Sequence, residues 1–276
     1  MKIVCGLIGD HIENSRFGAA LAKVGAAHDV EIVFEHIDTA LIEAFDFPAT
    51  VLRLRDQGWT GVTVTHPFKV DAMMLADRRR GVPDRLASSN LLRFGDGIEA
   101  TNTDYIGFLN MWAEAGIGAP GRVAIAGAGG VARSIATALD ELGAVEVAVW
   151  DPVPGAAGAL ADEVGGVVRP FMPVEAPALI AAADGVVNAT PIGMAAHPGR
   201  VFERTKLGSQ AWVFDAVYGP KPTLLAEDAA ATGVRCLTGH DLFRHMLLGS
   251  FEAYTGIAPD AAAMLPVLKV LSEGSR

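Results

Sequence analysis

Short runs of apolar residues alternate with longer amphipathic stretches along this chain of 276 residues. Residues 1–9, 29–36 and 59–65 are apolar runs of strand length, whereas residues 15–25 and a stretch beginning near Pro67 have helical spacing. Strands that alternate with helices in this way are typical of a parallel sheet covered on both faces. The pattern therefore predicts an α/β fold.

A change of pattern follows near the middle of the chain. Residues 91–94 and 98–100 flank Gly95-Asp96-Gly97 and predict a β-hairpin, and a helix is expected over about residues 104–115. Four residues that interrupt regular structure come next, Gly116, Gly118, Pro120 and Gly121. Because a chain of this length usually forms two domains, we expect the domain boundary within or just before that helix.

The strongest motif is a glycine-rich turn, GAGGVA, between a predicted strand at 122–126 and a predicted helix at 133–142. It has the G-x-G-x-x-A form of a dinucleotide-binding fingerprint, in which Gly127 permits a tight turn and Gly129 lets the backbone approach a pyrophosphate. Ala132 would allow close packing of helix and strand. The N–H groups of the first helical turn would bind the phosphates. The alternative is a glycine turn without a ligand, but the strand–turn–helix context favours a nucleotide.

A second predicted strand, residues 146–150, ends at Asp151, which lies 24 positions after Gly127. An acid at about this distance accepts hydrogen bonds from the adenosine ribose, so Asp151 favours NAD. The 2′-phosphate of NADP would meet a like charge, and the nearest basic residue, Arg133, lies inside the preceding helix. NADP is the second candidate. The alternative interpretation of Asp151 is an ordinary solvated acid that opens a turn before Pro152.

Composition narrows the class of protein. Hydrophobic residues make up 51% of the chain and charged residues 20%, which suits a globular protein. The net charge of −10 argues against nucleic-acid binding, although it leaves an anionic small substrate open. Two cysteines, Cys5 and Cys236, cannot form a disulfide framework or a Cys-rich zinc site, and they favour a reduced, cytoplasmic setting.

Other features point away from membranes and metals. No apolar stretch reaches the roughly 18 residues of a membrane span, and the first ten residues do not fit a signal peptide. His240 and His245 are five positions apart, which places them on different faces of a helix, so we expect no metal site. Residues 78–80, three consecutive arginines, are expected to form a solvated turn.

The first half of the chain offers two candidates for chemistry, Lys69 and Asp104. A lysine close to a carboxylate can transfer protons if the fold brings the two together. From spacing alone, each is more often a surface charge.

Six ordered segments carry short motifs that cover nearly the whole chain. They are 64–69 (VTHPFK), 90 with 101–108 (N and TNTDYIGF), 127–132 (GAGGVA), 188–194 (NATPIGM), 215–220 (DAVYGP) with 223–225 (TLL), and 251–256 (FEAYTG). Together they resemble the motifs of the shikimate dehydrogenase family, which includes quinate dehydrogenases.

This resemblance implies a two-domain α/β enzyme with its active site in a cleft. Residues 1–103, completed by C-terminal helices at 239–276, would bind the substrate, and residues 104–238 would form a Rossmann domain for NAD or NADP. Lys69 would be the general acid or base and Asp104 its partner, while hydride passes between the nicotinamide and a ring carbon bearing a hydroxyl. During oxidation, Lys69 would take the hydroxyl proton, which requires a lowered lysine pKa or a hydrogen-bonded relay.

The resemblance also assigns contacts residue by residue. Implied substrate contacts are Ser15, Thr65, Asn90, Asp104 and Tyr218. Implied cofactor contacts are Gly127, Ala128, Gly129, Gly130, Val131, Asp151, Asn188 and Thr190, with Ala216 and Gly239 near the nicotinamide.

Departures from the family pattern all fall on the substrate side. Phe17 replaces the second serine of an S-x-S-P loop, and Met246 replaces a glutamine. His66 replaces a small apolar residue, and residues 87–89 (ASS) replace Gly-Ala. Because Phe17 and Met246 cannot donate the hydrogen bonds of the residues they replace, we expect shikimate to be a poor substrate. The alternative is that Phe17 points away from the substrate and that Ser15 suffices with backbone groups.

Three functions are consistent with the sequence. The chain is expected to be a shikimate dehydrogenase, or a related dehydrogenase for quinate, an aminoshikimate or another hydroxylated carboxylate, or a non-catalytic NAD-binding regulatory protein. The retained pair Lys69 and Asp104 argues against the third, since a binder needs no proton relay. A monomer or homodimer is expected.

Overall fold

The computed structural model describes residues 1–219 and 221–273, and the chain divides into two compact units. The first unit comprises residues 1–107 and 244–272, and the second comprises residues 108–243. The chain passes between them inside two helices, α4 (Thr103–Ala115) and α9 (Gly239–Thr255). Residues 274–276 of the C-terminal segment assigned to the substrate domain lie outside the described residues.

The first unit contains a six-stranded sheet with helices, which confirms the predicted α/β class. Its other elements are β1 (Lys2–Gly9), α1 (Phe17–Ala27), β2 (Glu31–Asp38), α2 (Phe47–Asp56), β3 (Gly61–Val64), α3 (Lys69–Leu75), β4 (Arg78–Arg79), β5 (Leu91–Gly95), β6 (Gly97–Thr101) and α10 (Ala261–Glu273). The sheet order is β2-β1-β3-β5-β6-β4. Strand β5 is antiparallel to β3 and β6, so the predicted hairpin is confirmed and this sheet is mixed.

One expectation for this unit is wrong. Arg78 and Arg79 do not form a turn but the edge strand β4, which pairs with β6 in parallel. The physical reason is charge, because the Nε atom of Arg78 lies 3.2 Å from a carboxylate oxygen of Glu99, its partner in the neighbouring strand. Arginine is a common residue on an exposed sheet edge, where its charge opposes pairing with another chain.

The strand ends of the first sheet bring distant residues together. Gly9 pairs with Asp38, Ile8 with Val64, and Leu91 with Thr101, so β1, β2, β3 and β6 end where β5 begins. We call this line of strand ends the first-sheet edge. Beneath it, the core of the unit is formed by buried apolar side chains from several elements, among them Ile8, Val51, Leu54, Val62 and Leu92.

The second unit contains a fully parallel six-stranded sheet. Its elements are β7 (Arg122–Ala126), α5 (Gly130–Glu141), β8 (Glu146–Trp150), α6 (Ala156–Val164), β9 (Val168–Pro170), α7 (Ala176–Ala182), β10 (Gly185–Asn188), β11 (Trp212–Asp215), α8 (Leu224–Thr232) and β12 (Arg235–Thr238). The order is β12-β11-β10-β7-β8-β9, so β7 lies between β10 and β8, near the middle of the sheet. The strand order reverses at β7, and ligands of such sheets bind at this point, beyond the carboxyl ends of the strands.

Five strands of this sheet end in register. Ala126 pairs with Trp150 and with Asn188, Asn188 pairs with Asp215, and Asp215 pairs with Thr238. We call this line of carboxyl ends the second-sheet edge. Throughout the part of the chain that the structure describes, no helix is long and apolar enough to cross a membrane.

Candidate active site

Lys69 and Asp104 meet at the first-sheet edge. Lys69 is the first residue of α3, and Asp104 lies in the first turn of α4. The lysine Nζ donates to Asp104 Oδ2 over 2.5 Å, and the side chains are only 12% and 6% exposed. Two residues 35 positions apart thus form a shielded pair of proton donor and acceptor, which is the arrangement that general acid–base chemistry requires.

Backbone and side-chain hydrogen bonds fix both partners of this pair. The Ser89 N–H donates to the carbonyl of Lys69 over 2.8 Å. Asn102 accepts from the Tyr105 N–H and donates to the Ser88 carbonyl, so its side chain caps α4 and ties it to the segment that holds Lys69. The serines that replace the usual Gly-Ala are therefore part of the support of the pair.

Asn90 lies beside the pair and is fully buried, at 1% exposure. Its Oδ1 accepts from the Thr103 N–H over 2.7 Å, and its Nδ2 donates to Thr103 Oγ1 over 3.0 Å. Since an amide nitrogen has two hydrogens, Asn90 keeps the capacity to donate one more hydrogen bond. Thr103 also contacts the Ser250 hydroxyl, which links α4 to α9 within the first unit.

The other proposed substrate contacts in the first unit are Ser15, Thr65, Phe17 and Met246, of which Phe17 is buried and the other three are half-buried. Ser15 is half-buried, and its Oγ accepts from the Phe17 N–H, while Thr65 follows β3 at the first-sheet edge. Phe17 is 3% exposed and packs against Phe34, with ring centroids 5.8 Å apart. Met246 is half-buried in α9, and its backbone lies so close to Gly107 of α4 that a Cβ there would come within 2.8 Å.

The glycine loop of the second unit has the geometry that a dinucleotide requires. Gly127 has φ +99°, and a Cβ on it would lie 2.7 Å from the Ala189 carbonyl oxygen, so this position demands glycine. Gly129, the N-cap residue of α5, faces open space and provides no side-chain cap. The N-terminus of α5, with the N–H groups of Gly130 and Val131, thus has no side-chain cap, and the loop fits the group that the motif implies.

Asp151 follows β8 beside this loop. Its Oδ2 accepts from the Ala128 N–H and its Oδ1 from the Val153 N–H, each over 2.8 Å. Arg133 is held by Glu163 at 2.8 Å and by the Ala128 carbonyl. The carboxylate is thus placed at the strand end, while the nearest basic side chain in sequence is already engaged.

Three further strand ends contribute to the second-sheet edge. Asn188 donates to Asp215 and to the Ile192 carbonyl, and its Oδ1 accepts from the N–H and hydroxyl of Thr190. This network shapes the loop whose Ala189 carbonyl would clash with a Cβ on Gly127. Burial raises the pKa of Asp215, and hydrogen bonds from Thr223, Val217 and Asn188 oppose that rise.

Ala216 and Gly239 lie next to each other, because a Cβ on Gly239 would lie 2.5 Å from the Ala216 carbonyl oxygen. Tyr218 is 53% exposed, and its ring contacts those of His240 and Phe243. The DAVYGP segment ends at Pro220, which lies outside the described residues.

Sequence reasoning assigned no role to several supporting residues, namely Asp38, Ser88, Ser89, Asn102 and Asp215. A signal existed for Asn102, since asparagine immediately before a helix is a common cap. The two thiols are not candidates for nucleophilic chemistry, because burial raises the pKa of Cys5 and of Cys236 to about 12. No group of three or more metal-binding side chains occurs within residues 1–219 and 221–273.

A parallel sheet with a glycine loop at its switch point, together with a lysine–carboxylate pair, defines a dinucleotide-dependent oxidoreductase. Comparison with known proteins gives the family. The model of the shikimate dehydrogenase substrate binding domain matches residues 7–92. The quinate/shikimate dehydrogenase (NAD(+)) of Corynebacterium efficiens is 35% identical, and the match covers 95% of this chain and 96% of that protein.

Solved structures agree. The quinate dehydrogenase from Corynebacterium glutamicum in complex with NAD has a TM-score of 0.89 and 33% identity, covering 98% of this chain and 99% of that one. The shikimate 5-dehydrogenase from Thermus thermophilus, in complex with NADP(H) and shikimate, has a TM-score of 0.84 and 26% identity, with 97% and 98% covered. This chain belongs to the shikimate dehydrogenase family.

Proposed function

We propose that the protein is a nicotinamide-dependent dehydrogenase that interconverts a ring hydroxyl and a ketone of shikimate, quinate or a related cyclic hydroxy acid. The observation that carries this proposal is the shielded pair of Lys69 and Asp104, with Nζ and Oδ2 2.5 Å apart. A protein that only bound a dinucleotide would need no such pair, which disfavours the regulatory alternative.

In the proposed reaction, the neutral amine of Lys69 takes the proton of the substrate hydroxyl as the carbonyl forms, and the resulting ammonium returns a proton in the reverse direction. Asp104 accepts a hydrogen bond from Nζ and so fixes the position of the lysine. Asn90, with one amide hydrogen uncommitted, would donate to a substrate oxygen. When bound, the nicotinamide ring supplies the hydride acceptor or donor.

NAD is the proposed cofactor, with NADP as the less favoured one. Asp151 would accept from the ribose hydroxyls, and its charge would repel a 2′-phosphate. The engagement of Arg133 with Glu163 supports the same choice, because Arg133 is not offered to a phosphate. Relatives of both kinds occur, named as NAD(+) and NADP(+) enzymes.

Quinate is the specific alternative to shikimate, since several of the similar proteins are named for it. The carboxylate anchor would be Ser15 together with backbone groups. Phe17, buried against Phe34, acts as a core side chain in this proposal, so its replacement by serine would leave a cavity and would not test substrate choice cleanly.

The proposal is tested by measuring turnover of shikimate, quinate and other cyclic hydroxy acids with NAD and with NADP. Turnover of at least one acid is expected, with NAD preferred. Absence of turnover for every combination of hydroxy acid and cofactor would contradict the proposed function. We further propose that the protein is cytoplasmic and that it is a monomer or a homodimer. Light scattering on the purified protein would distinguish the monomer from the homodimer.

Met246→Gln is expected to raise kcat/KM for shikimate about three- to tenfold, because a neutral hydrogen bond contributes about 0.5–1.5 kcal/mol. The amide would reach a ring hydroxyl that the thioether cannot bond. Steady-state kinetics with saturating NAD provide the measurement, and Met74→Gln, at an exposed position in α3, is the matched control. Equal kinetics for wild type and Met246→Gln would show that this side chain does not face the substrate.

A further inference from the structure

We propose that Asp38, assisted by Thr39, is a positioning residue that holds the segment from Asp10 to Ser15 in its substrate-binding conformation. This inference rests on the proposed function, in which Ser15 anchors the substrate carboxylate. Asp38 is the last residue of β2 and pairs with Gly9, the last residue of β1, so it lies at the first-sheet edge beside that segment.

Asp38 is 9% exposed, and its carboxylate accepts hydrogen bonds from backbone groups of two segments. Oδ1 accepts from the His11 N–H over 2.9 Å and from the Ala40 N–H over 3.1 Å, and Oδ2 accepts from the Ile12 N–H over 2.9 Å. Burial raises the pKa of Asp38, but backbone N–H groups, including that of Glu13, outweigh it and hold the pKa below its usual value.

The held segment has an unusual course that needs such support. His11 has φ +55°, in the left-handed region that residues other than glycine adopt uncommonly, although histidine adopts it more often than most. Directly after this reversal, the Ile12 carbonyl accepts from the Ser15 N–H over 2.9 Å. The contacts of Asp38 with His11 and Ile12 therefore set the position from which the Ser15 hydroxyl is presented.

The same segment also contacts the approach to Lys69. The Asp10 N–H donates to the His66 carbonyl over 3.0 Å, and the Thr39 hydroxyl donates to the Asp10 carboxylate. The end of β2 thus supports both the Ser15 segment and, through Asp10, the chain between Thr65 and Lys69. The Asp38 carboxylate is therefore expected to affect binding of the hydroxy acid. It is not expected to affect binding of the dinucleotide, because the glycine loop belongs to the second unit.

The decisive variant is Asp38→Asn, which keeps the shape but removes the charge and turns an NH₂ group toward backbone N–H donors. Deuterium uptake of residues 10–17 is expected to rise. The KM for the hydroxy acid that the wild type oxidises, shikimate or quinate, is expected to rise about tenfold, because a hydrogen bond to a charged group is lost. The KM for NAD should change less than about twofold, since that site is not touched.

Asp46→Asn is the matched control, because Asp46 also accepts a backbone N–H, that of Ala49, but at the exposed start of α2. It should leave both KM values and the uptake of residues 10–17 unchanged. If Asp38→Asn does not fold, Thr39→Val is the second test. Smaller increases in the deuterium uptake of residues 10–17 and in the KM for the hydroxy acid are then expected. Unchanged exchange and unchanged hydroxy-acid KM in the folded variant would overturn the inference. Lack of wild-type turnover would refute the proposed function instead, and the exchange measurement would still test whether Asp38 holds the segment.

Discussion

Lys69→Ala is expected to lower kcat by about 10²–10⁴-fold, the usual contribution of a general acid or base. Nζ is the proton carrier of the proposed reaction, and alanine has nothing to replace it. The expected loss appears in kcat at saturating substrate and in kcat/KM alike, because the interaction belongs to the transition state. The dissociation constant for NAD should stay near that of the wild type.

Lys69→Ala is also expected to lower the stability of the fold, because Asp104 is buried. Asp104 is 4% exposed, so removal of Lys69 leaves a buried carboxylate without its cation. Breaking a buried pair in this way commonly costs about 3–5 kcal/mol, whereas replacing both charges is far less costly. The double variant Lys69→Ala with Asp104→Asn should therefore regain thermal stability relative to Lys69→Ala.

These two variants separate folding from chemistry. Stopped assays at saturating substrate and melting curves would be measured on the wild type, the single variant and the double variant. Recovery of stability without recovery of turnover supports the catalytic role. If Lys69→Ala retained more than about a tenth of the wild-type kcat, Lys69 would not be the proton carrier.

The second unit was the more predictable from sequence, because its functional residues lie within one or two positions of strand ends. Gly127 and Asp151 follow strands whose bounds were predicted as they occur, 122–126 and 146–150. In a parallel sheet, consecutive carboxyl ends meet at one edge, so local patterns translate directly into a shared site. The family resemblance supplied the remaining strand ends.

The first unit was less predictable because its contacts join distant segments. The bond between Asp38 and His11 spans 27 positions, and the bond between Lys69 and Asp104 spans 35. An aspartate at a strand end has no local pattern that distinguishes support of a loop from solvation. Phe17 illustrates the same limit, since comparison of motifs identified a lost hydroxyl, whereas only packing shows its contact with Phe34.

Asp151→Ala is expected to shift the ratio of kcat/KM for NAD to that for NADP about a hundredfold toward NADP. For NAD, the variant loses hydrogen bonds from ribose hydroxyls to a charged acceptor, worth about 1.5–3 kcal/mol. For NADP, it loses the repulsion between Asp151 and the 2′-phosphate, which acts in the opposite direction. Because kcat/KM falls for NAD and rises for NADP, both effects lower the ratio of the two values.

The ratio is the proper measurement because Asp151 has a second role. Its Oδ2 accepts from the Ala128 N–H, so removal of the Asp151 side chain also loosens the glycine loop and weakens the binding of both NAD and NADP. That loss cancels when the two cofactors are compared in one variant. Asp162→Ala is the matched control, since it removes an exposed negative charge from α6 in the same unit and should leave the ratio unchanged. A wild type that prefers NADP, or an Asp151→Ala ratio equal to that of the control, would show that the carboxylate at the end of β8 does not select the cofactor.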